Sequence, residues 1–289
     1  MKNYKILLFT FLIVPLLSFS QKKAKDSIVE KPERPAFESS TLIENQTNVL
    51  FNKNTLEVMM QHRFDKIDGE NTLLGIYGPA NIRIGASYSI LDWITVGYGI
   101  TKQNITSDFS LKVGILEQTR SGSTPLSITY YGNAAINGLS GTRGDNAGFY
   151  TKQDRYSYFN QLIFARRFSP KLSLQIAPSL THYNAVDYGY ENDRFAIAFG
   201  GRYKITGQTA IILDYTLPIT KLDIEGQEDV SYDYSGLSFG AEFSTSAHVF
   251  QVFLTNYTGI VPQYNYMENI NKPFADFVIG FNITRRYNF

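Results

Sequence analysis

The stretch FVIGFNITRRYNF, residues 277–289, decides the fold class of this chain. Apolar or aromatic residues stand at every second position, from Phe277 through Ile283 to Phe289, with Asn282 and Thr284 among the polar residues between them. Successive side chains of a β-strand point to opposite faces, so this period of two predicts a strand with one apolar face and one polar face. An amphipathic helix would require a period near 3.6 instead.

The same alternation recurs along most of the chain, which predicts an all-β protein of about twelve strands. The composition agrees, because 15% of the residues are aromatic and such side chains suit a pleated surface. Eleven further segments carry the pattern, at about residues 56–64, 82–90, 94–101, 109–115, 126–130, 156–168, 172–180, 195–204, 211–217, 237–243 and 250–254. The segment 156–168 is ambiguous, since either Leu162 and Phe164 or Phe159 and Ile163 could form its outward face.

The lengths of the connections predict how the strands are arranged. Short connections such as 91–92, 169–171 and 206–208 alternate with long ones such as 132–155 and 218–235. Outer-membrane barrels have short periplasmic turns and long external loops, and an even strand number returns the chain to the side where it began. We therefore predict a transmembrane antiparallel up-and-down β-barrel.

A membrane barrel turns its apolar face to lipid and its polar face to the lumen. The polar face of the predicted strands carries charges of both signs together with many glycines and serines. A ring of one sign would have indicated ion selectivity, which mixed charges do not. The candidate lumen-lining residues are Glu57, Arg63, Arg83, Lys112, Arg202, Lys204, Asp214 and Glu242.

The first twenty residues have the pattern of a secretory signal peptide. Lys2 and Lys5 precede an apolar run from Ile6 to Leu17, and small residues at Ser18 and Ser20 favour cleavage after Ser20. We expect residues 21–54 to form a flexible periplasmic extension whose part from 37 to 47 tucks against or into the barrel mouth. Residues 55–289 would form the barrel in the outer membrane.

The C-terminal strand also carries an expected assembly signal. Its aromatic residues Tyr287 and Phe289 resemble the C-terminal signal that the barrel-assembly machinery recognises. The expected partners are therefore this machinery, the outer-membrane lipid with its lipopolysaccharide and, for the lumen, a small solute.

Few residues indicate catalytic or cofactor chemistry. The chain has no cysteine, and its three histidines, His62, His182 and His248, share no metal-ligand spacing. We predict no cofactor, no metal and no enzymatic activity. A formal net charge of +1 without a basic block gives no electrostatic reason to bind nucleic acid.

Several segments resemble a family of outer-membrane β-barrels of unknown function that is common in Bacteroidota. The resemblance covers most of the chain after the signal peptide, implies the fold and the location, and transfers no catalytic residues. The segments that carry it are Arg34 to Glu38, Glu44 to Thr47, His62 to Phe64, Tyr77 to Arg83, Gly132 to Ala135, Gln161 to Phe168, Ala177-Pro178 and His182 to Asn184.

Three functions remain open from the sequence. The polar, glycine-rich inward face favours a pore or transporter for small solutes. The polar extension 21–54 suits a structural or adaptor barrel that anchors a periplasmic or surface partner. A membrane-embedded hydrolase is the remote third possibility, for which His182 is the last candidate histidine.

Overall fold

The computed structural model describes residues 30–67, 73–139, 151–186, 191–220, 234–267 and 269–289. In this part of the chain a hairpin, β1 (Thr41–Leu42) and β2 (Asn45–Gln46), precedes twelve antiparallel strands that form one closed barrel. The barrel strands are β3 Thr55–Lys66, β4 Asn81–Leu91, β5 Ile94–Thr101, β6 Thr106–Leu116, β7 Ser127–Ile136, β8 Tyr156–Arg167, β9 Leu172–Tyr183, β10 Asp193–Lys204, β11 Thr209–Pro218, β12 Gly236–Ser244, β13 His248–Thr255 and β14 Val278–Asn288. The predicted twelve-stranded barrel is confirmed.

Each strand pairs with its neighbours in sequence, and β14 pairs with β3 to close the ring. In that closing pair Ile283 lies opposite Met60. Closure leaves the barrel without an edge strand, so every strand can satisfy its backbone groups within the sheet, as lipid requires.

The large apolar side chains point outward, as predicted. On β10, Phe195, Phe199 and Tyr203 are 55%, 41% and 50% exposed, whereas Arg194 and Arg202, which are adjacent to Phe195 and Tyr203 in the sequence, are buried. A soluble protein buries its aromatic residues and exposes its charged ones. The opposite arrangement seen here fits a barrel whose outer surface contacts the hydrocarbon of a membrane.

The connections fall into two classes at opposite ends of the barrel. The end that joins β4 to β5, β8 to β9, β10 to β11 and β12 to β13 by short links is named here the short-turn end. The opposite end, named the long-loop end, carries most of the long connections, among them 137–155, 219–235 and 256–277. The predicted alternation is therefore observed, with the β5–β6 link as a short member of the second class.

The ambiguous strand β8 has the first of the two proposed registers. Leu162 and Phe164 lie on the outward face, while Phe159 and Ile163 are fully buried on the lumen side. Apolar residues can face this lumen because a part of the chain packs against them there, as described below.

Among the described residues, no helix has the length and apolar character needed to cross a membrane. The predicted signal peptide and residues 21–29 of the predicted extension lie outside the described residues.

Candidate functional site

The lumen is filled from the short-turn end by residues 36–51, named here the plug. Its hairpin tip is in contact with β9 through Gln175, with β11 through Asp214 and with β13 through Gln251. Leu42 and Ile43 at the tip have no exposed surface. Of the placements left open for residues 37–47, the structure shows the one inside the barrel.

The turn of the plug hairpin is held by side chains of two adjacent strands. Ile43 has a φ of 55°, a left-handed conformation that is costly for a β-branched residue. Its N–H donates to Gln251 Oε1 at 3.2 Å, and its carbonyl accepts from Asn282 Nδ2 at 2.8 Å. The amide of Gln251 also donates to the carbonyl of Thr41 at 3.0 Å. These three hydrogen bonds from the barrel wall hold the turn in a backbone conformation that the plug would not adopt alone.

Asp214 on β11 binds the backbone of the same turn. Its Oδ2 accepts from the N–H groups of Glu44 and Asn45 at 3.1 and 3.0 Å, and its Oδ1 accepts from the amide of Asn45 at 2.6 Å. A buried carboxylate normally requires such donors, because desolvation of an unpaired charge is expensive.

A buried ion pair joins the plug to β3. Arg63 Nε and Nη2 donate to the two carboxylate oxygens of Glu44 at 2.9 and 3.0 Å, and the two side chains are 0% and 1% exposed. The third guanidinium nitrogen donates to Asn282 Oδ1 at 3.0 Å, and the guanidinium carbon lies 4.6 Å from the centre of the Phe253 ring. This bidentate geometry is the strong form of an arginine–carboxylate contact.

The plug rests on an apolar part of the wall formed by β8 to β11, named here the plug seat. Leu42 and Ile43 belong to one buried cluster with Phe159, Ile163 and Ile212. The inward alanines of β8, β9 and β10 complete the seat, at Ala165, Ala177, Ala196 and Ala198. Small and apolar inward residues thus make room for the plug on this side of the lumen.

A second segment fills the lumen from the long-loop end. Residues 256–267 of the β13–β14 connection, named here the loop insert, carry the short helix α1 (Pro262–Met267). Gln263 Nε2 donates to Asn133 Oδ1 at 2.8 Å, and the hydroxyls of Tyr264 and Thr106 are 2.9 Å apart. These contacts attach the insert to β6 and β7.

The plug and the loop insert meet inside the barrel. Asn265 donates to Glu44 Oε2 at 3.3 Å, and the Tyr266 hydroxyl is hydrogen-bonded to Asn45 Oδ1. Burial raises the pKa of Tyr257 and of Tyr266, so both phenols stay neutral hydrogen-bonding groups. The two segments thus enter the lumen from opposite ends and are joined by hydrogen bonds inside it.

Two small cavities lined by described residues lie beside the wall that carries Arg83. The first has a volume of about 50 Å³ and is lined by Gly85, Ser87, Gly97 and Ser110 of that wall. The second has a volume of about 20 Å³ and reaches Asp108. A volume of this size admits one or a few water molecules.

The side chain of Arg83 lies against this wall, where neighbouring glycines leave room for its guanidinium group. Its guanidinium donates to Asp108 at 2.7 and 2.8 Å. A Cβ atom added at Gly99 would lie 2.2 Å from Arg83 Nη2, and one at Gly85 would lie 2.7 Å from Nη1. The two glycines therefore permit the position in which Arg83 pairs with Asp108.

Replacing Gly99 with Ala is expected to push Arg83 away from Asp108 and to lower the free energy of unfolding by about 1–3 kcal/mol. The measurement is the heat-induced loss of the compact barrel in detergent. Gly207→Ala is the matched control, since a Cβ there meets no atom within 4 Å. Equal stability of both variants would show that Arg83 can move without any loss of folding free energy.

All eight predicted lumen residues stand at inward positions of their strands. Five of them have side-chain partners in ion pairs or hydrogen bonds: Arg63–Glu44, Arg83–Asp108, Arg202–Glu242 and Asp214–Asn45. Lys112 Nζ donates to the carbonyl of Ser40 at 2.9 Å, and Glu57 accepts from the hydroxyl of the same residue. Lys204 shares the inward register of Arg202 but is half-buried at the strand end.

Uncharged amides of the wall bind the two inserted segments, although none of them is among the predicted lumen residues. They lie at inward positions of their strands, where the period of two marks them, but they lack the charge by which the eight candidates stand out. Gln161, Gln175, Gln251 and Asn282 bind the plug, and Asn133 binds the loop insert.

The three histidines lie on the outward side of the strands. His62 stacks on Phe281 with 5.0 Å between ring centres, and His248 stacks on Phe250. His182 Nδ1 is 2.8 Å from Asp193 Oδ1 at the long-loop end. Within the described residues, no group of three His, Asp or Glu side chains could hold a metal ion.

Comparison with known proteins agrees with this architecture. A NanC porin structure aligns with a TM-score of 0.53 at 8% identity, over 80% of this chain and 98% of that chain. The COG4313 outer membrane channel from Pseudomonas putida F1 aligns with a TM-score of 0.52 at 12% identity, over 83% and 97%. At these identities the likeness concerns the fold alone. Comparison with curated protein sequences gave no match.

The family described as "Membrane bound beta barrel domain (DUF5777)" matches residues 37–287. This range includes the loop insert, the plug except its first residue, and the barrel strands except the last residue of β14. The plug thus falls within the family domain and is not an appendage to it. The chain belongs to this family of membrane-bound β-barrels.

Proposed function

We propose that this protein is an outer-membrane channel for small solutes, closed here by the plug and the loop insert. The observation that carries the proposal is the chemistry of the filled lumen. Wall amides and carboxylates such as Gln175, Asp214 and Asn282 hold the plug by hydrogen bonds that water can replace. The fold shared with a porin and an outer-membrane channel supports the same function.

A structural or adaptor barrel is the second candidate, and the plug seat favours it. Leu42, Ile43 and Ile212 are fully buried in the apolar cluster, which makes the filled lumen stable. A barrel that serves only as an anchor would keep both segments in place permanently and would not conduct.

The location follows from the same proposal. A signal peptide cleaved after Ser20 would deliver the chain to the periplasm, and the short-turn end would face that compartment. Tyr287 and Phe289, which are 38% and 81% exposed at that end, remain the proposed contact with the barrel-assembly machinery. Contacts with lipid and lipopolysaccharide, and an origin in Bacteroidota, also remain predictions. We propose no catalytic activity.

Conductance in planar bilayers tests the channel function. We expect the native protein to conduct weakly, and a variant whose residues 258–271 are replaced by a short Gly-Ser linker to show larger and longer openings. The reason is that this linker removes the contacts of Gln263 and Tyr264 with the wall.

The matched control shortens another connection at the long-loop end, in a described part whose large side chains are exposed. Residues 73–77 of the β3–β4 connection include Leu73, Leu74 and Tyr77, which are 57%, 56% and 76% exposed. Deleting them should leave the conductance at the native value. If neither the native protein nor the linker variant conducts, and neither speeds the swelling of liposomes, the adaptor function is favoured.

A further inference from the structure

The two sides of the lumen wall differ in how closely they contact the plug. On the plug seat, Ala177, Ala198 and Ile212 are at most 1% exposed and pack in the apolar cluster of Leu42 and Ile43. Moving the plug away from this side would expose apolar surface to water, at a cost of roughly 25 cal/mol for each Å².

The opposite side is formed by β4, β5 and β6 and is named here the glycine wall. Its inward residues are small or polar, and the cavity of about 50 Å³ lies between seven of them and the plug residues Ser40 and Gln46. The inward residues of the glycine wall that line this cavity are Arg83, Gly85, Ser87, Thr95, Gly97, Ser110 and Lys112. Contact between plug and wall is therefore loose here.

The two cavities adjoin each other along the glycine wall. Gln46, Arg83 and Tyr131 line both of them and so separate one from the other. Each cavity also contains a buried side-chain oxygen without a hydrogen-bond partner among the described residues, Glu57 Oε1 in the first and Gln161 Oε1 in the second. Such oxygens can accept hydrogen bonds from water or from a hydroxyl group of a solute.

We propose that solutes cross this barrel between the seated plug and the glycine wall, through a constriction formed by Gln46, Arg83 and Tyr131. This inference rests on the proposed channel function and adds the route. The plug stays on its seat during passage and forms one side of the path. At the long-loop end the path passes under the loop insert, which contacts the same wall through Tyr264 and Thr106.

The charges along this route indicate the class of solute. Arg83 is paired with Asp108, and Lys112 and Glu57 are both hydrogen-bonded to Ser40. Cations and carboxylates are thus balanced, and no ring of one sign favours an anion or a cation. The route suits small polar solutes without net charge, whose hydroxyl or amide groups replace water on these side chains.

Reaction of single cysteines tests the route, because the native chain has none. Ser110→Cys places a thiol in the first cavity with little change of volume. Ser179→Cys is the matched control, since Ser179 is an inward, buried serine of β9 whose hydroxyl donates to the carbonyl of Ala196 on the plug seat. Both full-length variants are exposed in liposomes to neutral, cationic and anionic methanethiosulfonate reagents.

We expect the thiol at position 110 to react at least about tenfold faster than the thiol at 179, which lies on the side of the wall that the plug and the loop insert cover. The neutral reagent should react faster than either charged one. Equal rates, or a faster reaction at 179, would overturn the route, because the covered side of the wall would then be as accessible as the glycine wall. Complete protection at both positions would also overturn it.

Conductance of the linker variant separates this proposal from the channel function. Attachment of a bulky reagent at position 110 should reduce its conductance, while the reagent at 179 should not. A variant that conducts but is blocked at neither position retains the channel function and refutes the route. A variant that never conducts refutes the channel function, whatever the thiols show.

Discussion

Replacing Glu44 with Ala is expected to release the plug from the lumen while the barrel stays closed. The substitution leaves Arg63 fully buried and without its carboxylate. Removing one partner of a buried ion pair typically costs about 3–5 kcal/mol, because the remaining charge is uncompensated. The barrel itself can persist, since its twelve-strand ladder closes without the plug.

This cost acts on the equilibrium between the seated and the released plug. At about 1.4 kcal/mol for each factor of ten, the population of released plug should rise roughly 10²- to 4 × 10³-fold. Hydrogen–deuterium exchange of the amides at residues 41–47 measures it directly. These amides should lose protection in the variant, whereas those of the barrel strands should keep theirs.

Glu38→Ala is the matched control on the same segment. Glu38 lies 3.7 Å from Arg202 with 41% of its side chain exposed, and exposed pairs contribute little to stability. The double variant Glu44→Ala/Arg63→Ala should recover part of the protection, because no unpaired charge remains. If Glu44→Ala exchanges as slowly as the native protein, the ion pair does not hold the plug.

The strand pattern could be predicted from the sequence because it is local. The period of two is visible within each segment, and it shows which residues of β10 or β14 face lipid and which face the lumen. This requires no knowledge of the neighbouring strands. The aromatic residues Phe195 and Phe199 face outward for this reason.

The plug could not be placed in this way, since its contacts join distant parts of the chain. Ile43 and Gln251 are separated by 208 residues in the sequence. Residues 37–47 also have no periodic pattern that would predict a hairpin. The loop insert is similar, because a six-residue helix inside a long loop has no recognisable amphipathic face.

One local signal of the plug was nevertheless present. In β8 both registers carried apolar residues, which is unexpected for a strand between lipid and water. The structure explains this by the contact of Phe159 and Ile163 with the apolar cluster that contains Leu42. Apolar residues at inward positions of a membrane strand thus indicate that another part of the protein occupies the lumen.

Deleting residues 36–49 is expected to convert the closed barrel into a wide, continuously conducting pore. The deletion removes Leu42, Ile43 and Glu44 from the lumen and leaves the wall residues Arg63 and Asp214 to bind water. Twelve strands enclose a lumen intermediate between the filled interior of eight-stranded barrels and the channel of porins, so water can occupy it.

The same deletion should lower stability, because the plug seat becomes exposed. Burial of a Leu or Ile side chain contributes about 1.5–3 kcal/mol, so the loss of Leu42 and Ile43 alone amounts to several kcal/mol. The expected result is therefore a less heat-resistant barrel with a conductance above that of the linker variant. Combining both changes should give the largest conductance.

A deletion of residues 22–29, which leaves the plug whole, serves as the control and should retain native conductance. Single-channel recording of the plug-deleted protein, the linker variant, their combination, the 22–29 deletion and the native protein then separates the contributions of the two segments. A plug-deleted barrel that folds but conducts no more than the native protein would mean that the loop insert alone closes the lumen. The route along the glycine wall predicts instead that the linker variant already conducts with its plug seated, and that removal of the plug widens an existing path.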